Sequence, residues 1–190
     1  ETGLRNALIR NELILHYQPQ FAAGGNRITG VEALARWQNP ALGLVPPERF
    51  IPLAEQTGLI EEIGEWCLDE ACRQLAQWQA DGVAIPRVAV NVSARQLRRP
   101  GFTERVVSAV RRHRLQPHEL ELELTESVLL ADADQAEDAM IELRAMGVRL
   151  ALDDFGTGYS SLIYLRRFAF DKIKIDKSFL ESTESTGESA

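Results

Sequence analysis

The stretch LELELTESVLLADADQAEDAMIELRAMGVRLALDD, residues 120–154, decides the fold. Its first part, LELELTE (120–126), alternates leucine with polar residues at the period of a strand. Residues 133–146 then read as a helix that Gly147 ends. VRLALDD (148–154) is a second strand, apolar until it finishes on two aspartates. Strand, helix and strand with links this short describe a parallel βαβ unit.

The same alternation continues on both sides. Upstream, RVAVNVS (87–93) is a strand and 102–114 a helix. Downstream come the loop FGTGYSS, a short helix over about 160–167 and the strand DKIKID (171–176). An array of this kind is an α/β fold built on a parallel sheet, and both a closed barrel and an open doubly wound sheet fit it. The N-terminal part differs. A short helix over 4–11 precedes the strand LILHYQPQF (13–21), the glycine turn AAGGN (22–26) and the strand ITGVEALARW (28–37), which together read as an antiparallel hairpin. NPALGLVPP (39–47) reads as a loop, and Pro47 and Glu48 start the helices expected over 48–57 and 60–80. The tail ESTESTGESA (181–190) is polar and of low complexity, so it reads as a loop or linker after the sixth strand.

Composition narrows the function classes. The 190 residues suffice for one domain with a substantial core, and 45% of them are hydrophobic. A net charge of −7 argues against a nucleic-acid polymer as partner. A small anionic ligand still fits if divalent cations or a local arginine supply positive charge. Cys67 and Cys72 lie on a helical stretch with no histidine near, so they read as two buried structural thiols. With no long apolar run and no signal peptide, the expected location is the cytoplasm.

The strand ends carry the chemistry, because α/β folds place function at the carboxyl ends of their parallel strands. Glu32, with Leu34 and Arg36 on the same face, Asn91, Glu123, Asp153 and Asp154 present oxygen ligands from four strands. Clustered carboxylates repel and are costly to bury unless a cation joins them. Mg²⁺ or Mn²⁺ suits an all-oxygen set, and two adjacent aspartates allow a two-metal phosphodiester hydrolysis. Lys172, Lys174 and Asp176 share a face of the last strand. Glu121, though on the same face as Glu123, reads as an ordinary solvated or capping glutamate.

Several stretches of the chain resemble the motifs of one known family. VEALARW (31–37) contains the Glu-Ala-Leu signature of EAL domains. YQPQ (17–20), FIPLAEQTGLI (50–60), AVNVSARQL (89–97), ELTES (123–127), LDDFGTGYSSL (152–162) and KIKIDKSF (172–179) resemble further EAL motifs, in order. The resemblance implies a TIM-like (βα)8 barrel with an antiparallel first strand, which hydrolyses cyclic di-GMP to linear pGpG with Mg²⁺ or Mn²⁺. It implies that Glu32, Asn91, Glu123 and Asp153 are metal ligands and that Asp154 serves a second ion. Lys174 matches a lysine near the attacking water, and Glu126 a glutamate that holds the loop from Phe155 to Ser161. That loop is linked to homodimerisation. Gln18, Leu34 and Arg36 match the substrate-binding region, with Gln18 and Arg36 at its base and phosphate contacts.

By the same resemblance about six of eight strands are present, and residues 1–190 correspond to the N-terminal and central parts of the domain. A later strand ending in a Glu-Gly-Val-Glu-like motif, with a further catalytic carboxylate, is expected beyond Ala190. The parent domain is then expected to be the phosphodiesterase, fused to sensory or GGDEF domains, and the 190-residue piece alone to be inactive. The alternative is an inactive EAL-type receptor or scaffold that binds cyclic di-GMP without turnover.

Overall fold

The computed structural model describes residues 2–126, 128, 133–156 and 167–176. Helix α1 (Thr2–Ile9) leads into strands β1 (Leu13–Phe21), β2 (Ile28–Asn39) and β3 (Gly43–Val45). Helices α2 (Pro47–Thr57) and α3 (Ile60–Ala80) follow, and then the alternation β4 (Val88–Asn91), α4 (Ala94–Leu97), α5 (Phe102–Arg112), β5 (Leu120–Thr125), α6 (Ala133–Ala145), β6 (Arg149–Phe155) and β7 (Lys172–Ile175).

One sheet runs β1-β2-β4-β5-β6-β7, with β3 paired to β2 at the side. The expected hairpin is present: β1 and β2 are antiparallel, with Gln18 opposite Glu32. From β2 onward every neighbour along that path is parallel. Asn91 stands beside Glu123, and Thr125 beside Asp153. The carboxyl ends of four strands are thereby brought to one rim.

Helices cover the other face. Ile63, Cys67, Ala71 and Leu75 recur every fourth residue of α3 and are all buried, so that stripe packs on the sheet. α5 packs on α3, and α6 lies on α5 and β6. Val88, Val90, Leu120, Leu122, Leu124, Leu150 and Leu152 point into this layer and are fully or nearly buried. The alternating leucines of β5 thus serve the helix side, which leaves the intervening glutamates to the inner side. No described helix is long and apolar enough to cross a membrane.

Several boundaries differ from the sequence reading, two of them in the N-terminal part. The stretch 39–47 contains β3, which folds back on β2 with Val45 opposite Trp37. Asn39 Oδ1 accepts from the backbone N–H groups of Ala41 and Leu42, both at 3.0 Å, and Gly43 takes φ 72°. This side-chain turn closes the hairpin in a span where only a loop is expected. The first helix spans Thr2–Ile9 rather than 4–11, and Asn11 at φ 55° turns the chain into β1. The helix expected over about 160–167 lies outside the described residues except for Arg167. Residues 157–161 of the loop after Asp154, and the tail, lie outside them too.

Candidate metal centre

Side chains from successive parallel strands can converge when they share a face, even where their registers are staggered. Glu32 on β2 is level with Glu121, two residues below Glu123 on β5, and Asp153 on β6 is level with Thr125, two residues above it. Yet the carboxylate oxygens of Glu32, Glu123 and Asp153 lie within 4.8 Å of one another. Glu123 is 1% exposed, and the other two are half-buried. Three carboxylates this close need a cation. In the structure Lys174 of β7 provides it, donating from Nζ to Glu32 Oε2 (3.0 Å), Glu123 Oε2 (2.6 Å) and Asp153 Oδ2 (2.8 Å). Asn91 Nδ2 donates to the other oxygen of Glu32 at 3.0 Å.

The electrostatics follow from this packing. Burial pushes the Glu123 carboxyl up to about 7, and the negative charge of Glu32 adds to the effect. Burial also works against a charged Glu32, yet the hydrogen bond and charge of Lys174 hold that carboxyl below its usual value. Lys174 is half-buried, but its bonds to Asp153 and Glu123 hold its ammonium above the ordinary lysine value. The site is a negative basin with a cation already drawn to its middle, and its donors are all oxygens. That donor set fits a hard divalent cation.

The remaining expected residues are placed as follows. Asp154 is exposed and stands outside the close trio, although Asp153 and Asp176 lie near enough to act on its charge. Its backbone adopts φ 55°, and the β6–β7 register shifts between Leu152 and Phe155. This irregularity interrupts strict strand alternation between two consecutive aspartates. Glu126 Oε1 accepts from the N–H of Gly156 at 3.4 Å and so ties the start of the following loop. Gln18 stands opposite Glu32. Arg36 donates from Nη1 to Ala35 O at 2.8 Å, away from the carboxylates. Leu34 lines a pocket of about 320 Å³ that also touches Asn91, Thr125 and Cys67.

One expectation is corrected. Glu121 is neither solvated nor a cap: it is 0% exposed. Neither of its oxygens has a well-formed hydrogen bond, and both are held by ion pairs, Oε1 to Lys172 and Oε2 to Arg87 Nη1 at 3.5 Å. Gln20 is a residue that motif reading passed over. Its Nε2 lies 3.4 Å from Glu123 Oε1, and its Oε1 accepts from Lys172 Nζ at 3.0 Å. The available signal was the shared parity of 18 and 20 on β1, which turns both to the inner face.

Known proteins resemble this chain in sequence and fold. The chain is 51% identical over 177 residues to the bifunctional diguanylate cyclase/cyclic di-GMP phosphodiesterase MucR of Pseudomonas aeruginosa, which covers 93% of the chain and 26% of MucR. It is 44% identical over 180 residues to the cyclic di-GMP phosphodiesterase NbdA of the same organism, covering 95% of the chain and 23% of NbdA. The chain thus spans about a quarter of the length of these curated relatives. A solved structure of the MucR phosphodiesterase in complex with c-di-GMP superposes with a TM-score of 0.90 at 49% identity, covering 96% of this chain and 74% of that one. The family model described as the EAL domain matches residues 1–190, the same span over which the carboxylate rim, its lysine and the antiparallel first strand are laid out, and the chain belongs to that family.

Proposed function

We propose that this domain hydrolyses cyclic di-GMP to pGpG with the help of divalent cations held on the carboxylate rim. The observation that carries the reading is the trio Glu32, Glu123 and Asp153, with oxygens within 4.8 Å and Lys174 bonded to all three. The names of MucR and NbdA support the substrate. Two Mg²⁺ or Mn²⁺ ions, when bound, supply Lewis acidity at the phosphoryl oxygens and a water of lowered pKa.

The chain's own residues divide the rest. Glu32, Asn91, Glu123 and Asp153 hold one ion, and Asp154 serves the second. Lys174 stays close to the reacting phosphate, where its ammonium offsets negative charge in the transition state. Arg36 grips a phosphate oxygen with its planar fork, and Gln18 and Leu34 contact the guanine end of the ligand. Glu126 anchors Gly156 and with it the loop through which two copies pair. The domain works in the cytoplasm as one part of a longer protein whose other domains sense a signal or anchor it to a membrane; the greater length of MucR and NbdA supports the longer parent.

The test is turnover of cyclic di-GMP by the protein that carries this domain. Stripped of metal with EDTA, it is expected to produce no pGpG, and added Mg²⁺ or Mn²⁺ is expected to restore production. Binding without hydrolysis in the presence of either metal would make the domain a receptor instead.

A further inference from the structure

Below the metal rim lies a second layer of charge. Gln20, Lys172, Glu121 and Arg87 come from four strands or strand approaches, and none is needed to complete the carboxylate trio. Gln20 stands opposite Gly30, one step further from the rim than the Gln18–Glu32 pair. Glu121 stands beside Ala89, one step below the Asn91–Glu123 pair. Gly30 makes room for this layer: a Cβ there would come within 2.7 Å of Arg87 Cγ.

Glu123 joins the two layers. Its Oε2 takes the bond from Lys174 in the rim, while its Oε1 faces down to Gln20 Nε2 at 3.4 Å and Lys172 Nζ at 3.8 Å. The direction of the Gln20 amide is set by its other end. Lys172 Nζ donates to Gln20 Oε1 at 3.0 Å, so the amide must present its NH₂, not its carbonyl, to Glu123. Lys172 is itself fixed by the ion pair to the buried Glu121, which Arg87 shares. The chain of contacts runs Arg87, Glu121, Lys172, Gln20, Glu123. Partners behind a ligating carboxylate orient it and tune its basicity.

We propose that Gln20 and Lys172 are positioning residues that hold Glu123 in its ligating orientation, with Glu121 and Arg87 as the charged footing that fixes Lys172. This rests on the reading of Glu123 as a metal ligand. Lys172 therefore has two separable duties: neutralising Glu121 and aiming Gln20.

The test separates them by titrating Mn²⁺ into the metal-free protein that carries this domain, followed by the signal of free Mn²⁺, alongside thermal unfolding. Gln20→Leu leaves the Glu121 ion pairs intact, and is expected to keep the parent melting temperature while weakening Mn²⁺ binding by roughly tenfold or more. Lys172→Met strands the buried Glu121 and is expected to lower both melting temperature and affinity. The double variant Glu121→Met, Lys172→Met removes both charges, so melting returns toward the parent while Mn²⁺ binding stays weak. Parent-like Mn²⁺ affinity in Gln20→Leu, or in the stable double variant, would overturn the proposal and leave Lys172 a purely structural counter-charge. If Glu123→Gln binds Mn²⁺ as the parent does, the metal reading itself fails and takes this inference with it.

Discussion

Asp154 sits in the left-handed backbone region at φ 55°, immediately after Asp153, whose Oδ1 accepts from its N–H at 2.9 Å. Only glycine, asparagine and aspartate visit that region readily, and others pay about 1–2 kcal/mol. Asp154→Asn is therefore expected to keep urea stability near the parent value, while Asp154→Val loses about 1–2 kcal/mol or more because a β-branched side chain fits the region worst. Equal stability of the two variants would contradict the strain. The thiols give a pH-dependent expectation. Burial pushes Cys67 and Cys72 up to about 12 from a usual 9.0. An acid whose folded value is raised is stabilising in its neutral form below the unfolded value, and that contribution is lost as pH rises from about 9 toward 12. At pH 8 the thiolate fraction, and with it the rate of thiol titration by a disulfide reagent, is expected to be about a thousandfold below that of the unfolded chain. Residue identity on the rim was legible in the sequence, since alternation along β5 set Glu121 and Glu123 on one face. Depth was not. The same alternation places both glutamates inward, and only the neighbouring strands decide that Glu121 meets Lys172 and Arg87 rather than water.

At the scale of elements, the helical and strand periods carried most of the fold, and the misses are short pieces governed by side-chain bonds. The helix period says nothing of β3, whose return depends on Asn39 bonding two backbone N–H groups. Nor does it foresee α4, four residues opened by Ser93 and Gln96 in a reciprocal cap. The Gln96 side chain accepts from the Ser93 N–H and Oγ, both at 3.1 Å, and lies against α3 at Gly64. A Cβ at Gly64 would stand 1.9 Å from Gln96 Nε2. Helix propensity alone favours Gly64→Ala by roughly 1 kcal/mol. The packing opposes it, because the buried amide must leave its bonds to Ser93 or α3 must move, at about 1–3 kcal/mol. Gly64→Ala is therefore expected to be neutral to destabilising by about 2 kcal/mol in urea, and a clear stabilisation would show that Gln96 yields freely. Gln96→Ala together with Gly64→Ala should recover the propensity gain at Gly64.

At the scale of the molecule, the five parallel strands of one ordered path bring their carboxyl ends to a single rim, with β1 running the other way beside them, and the charge collected there is the organising fact. Parallel order was legible from strand–helix alternation, and the antiparallel start from the AAGGN turn. The pattern left barrel and open sheet undecided, because closure depends on strand tilt and stagger that no local period records. Without metal, Lys174 is the cation of the rim. Lys174→Met is expected to lower the stability of the metal-free protein by about 2–4 kcal/mol, since it leaves three neighbouring carboxylates uncompensated. Added Mn²⁺ should shrink that loss, as measured by the shift in melting temperature, and an identical loss with and without Mn²⁺ would contradict a shared basin. The most direct measurement is the rate of pGpG formation from cyclic di-GMP with saturating Mn²⁺, comparing the protein with its Glu123→Gln variant. Metal-dependent product is expected from the parent, with a fall of about a hundredfold or more in the folded variant, if Glu123 holds the catalytic metal. Equal rates, or turnover that persists in both after metal is removed, would contradict that role.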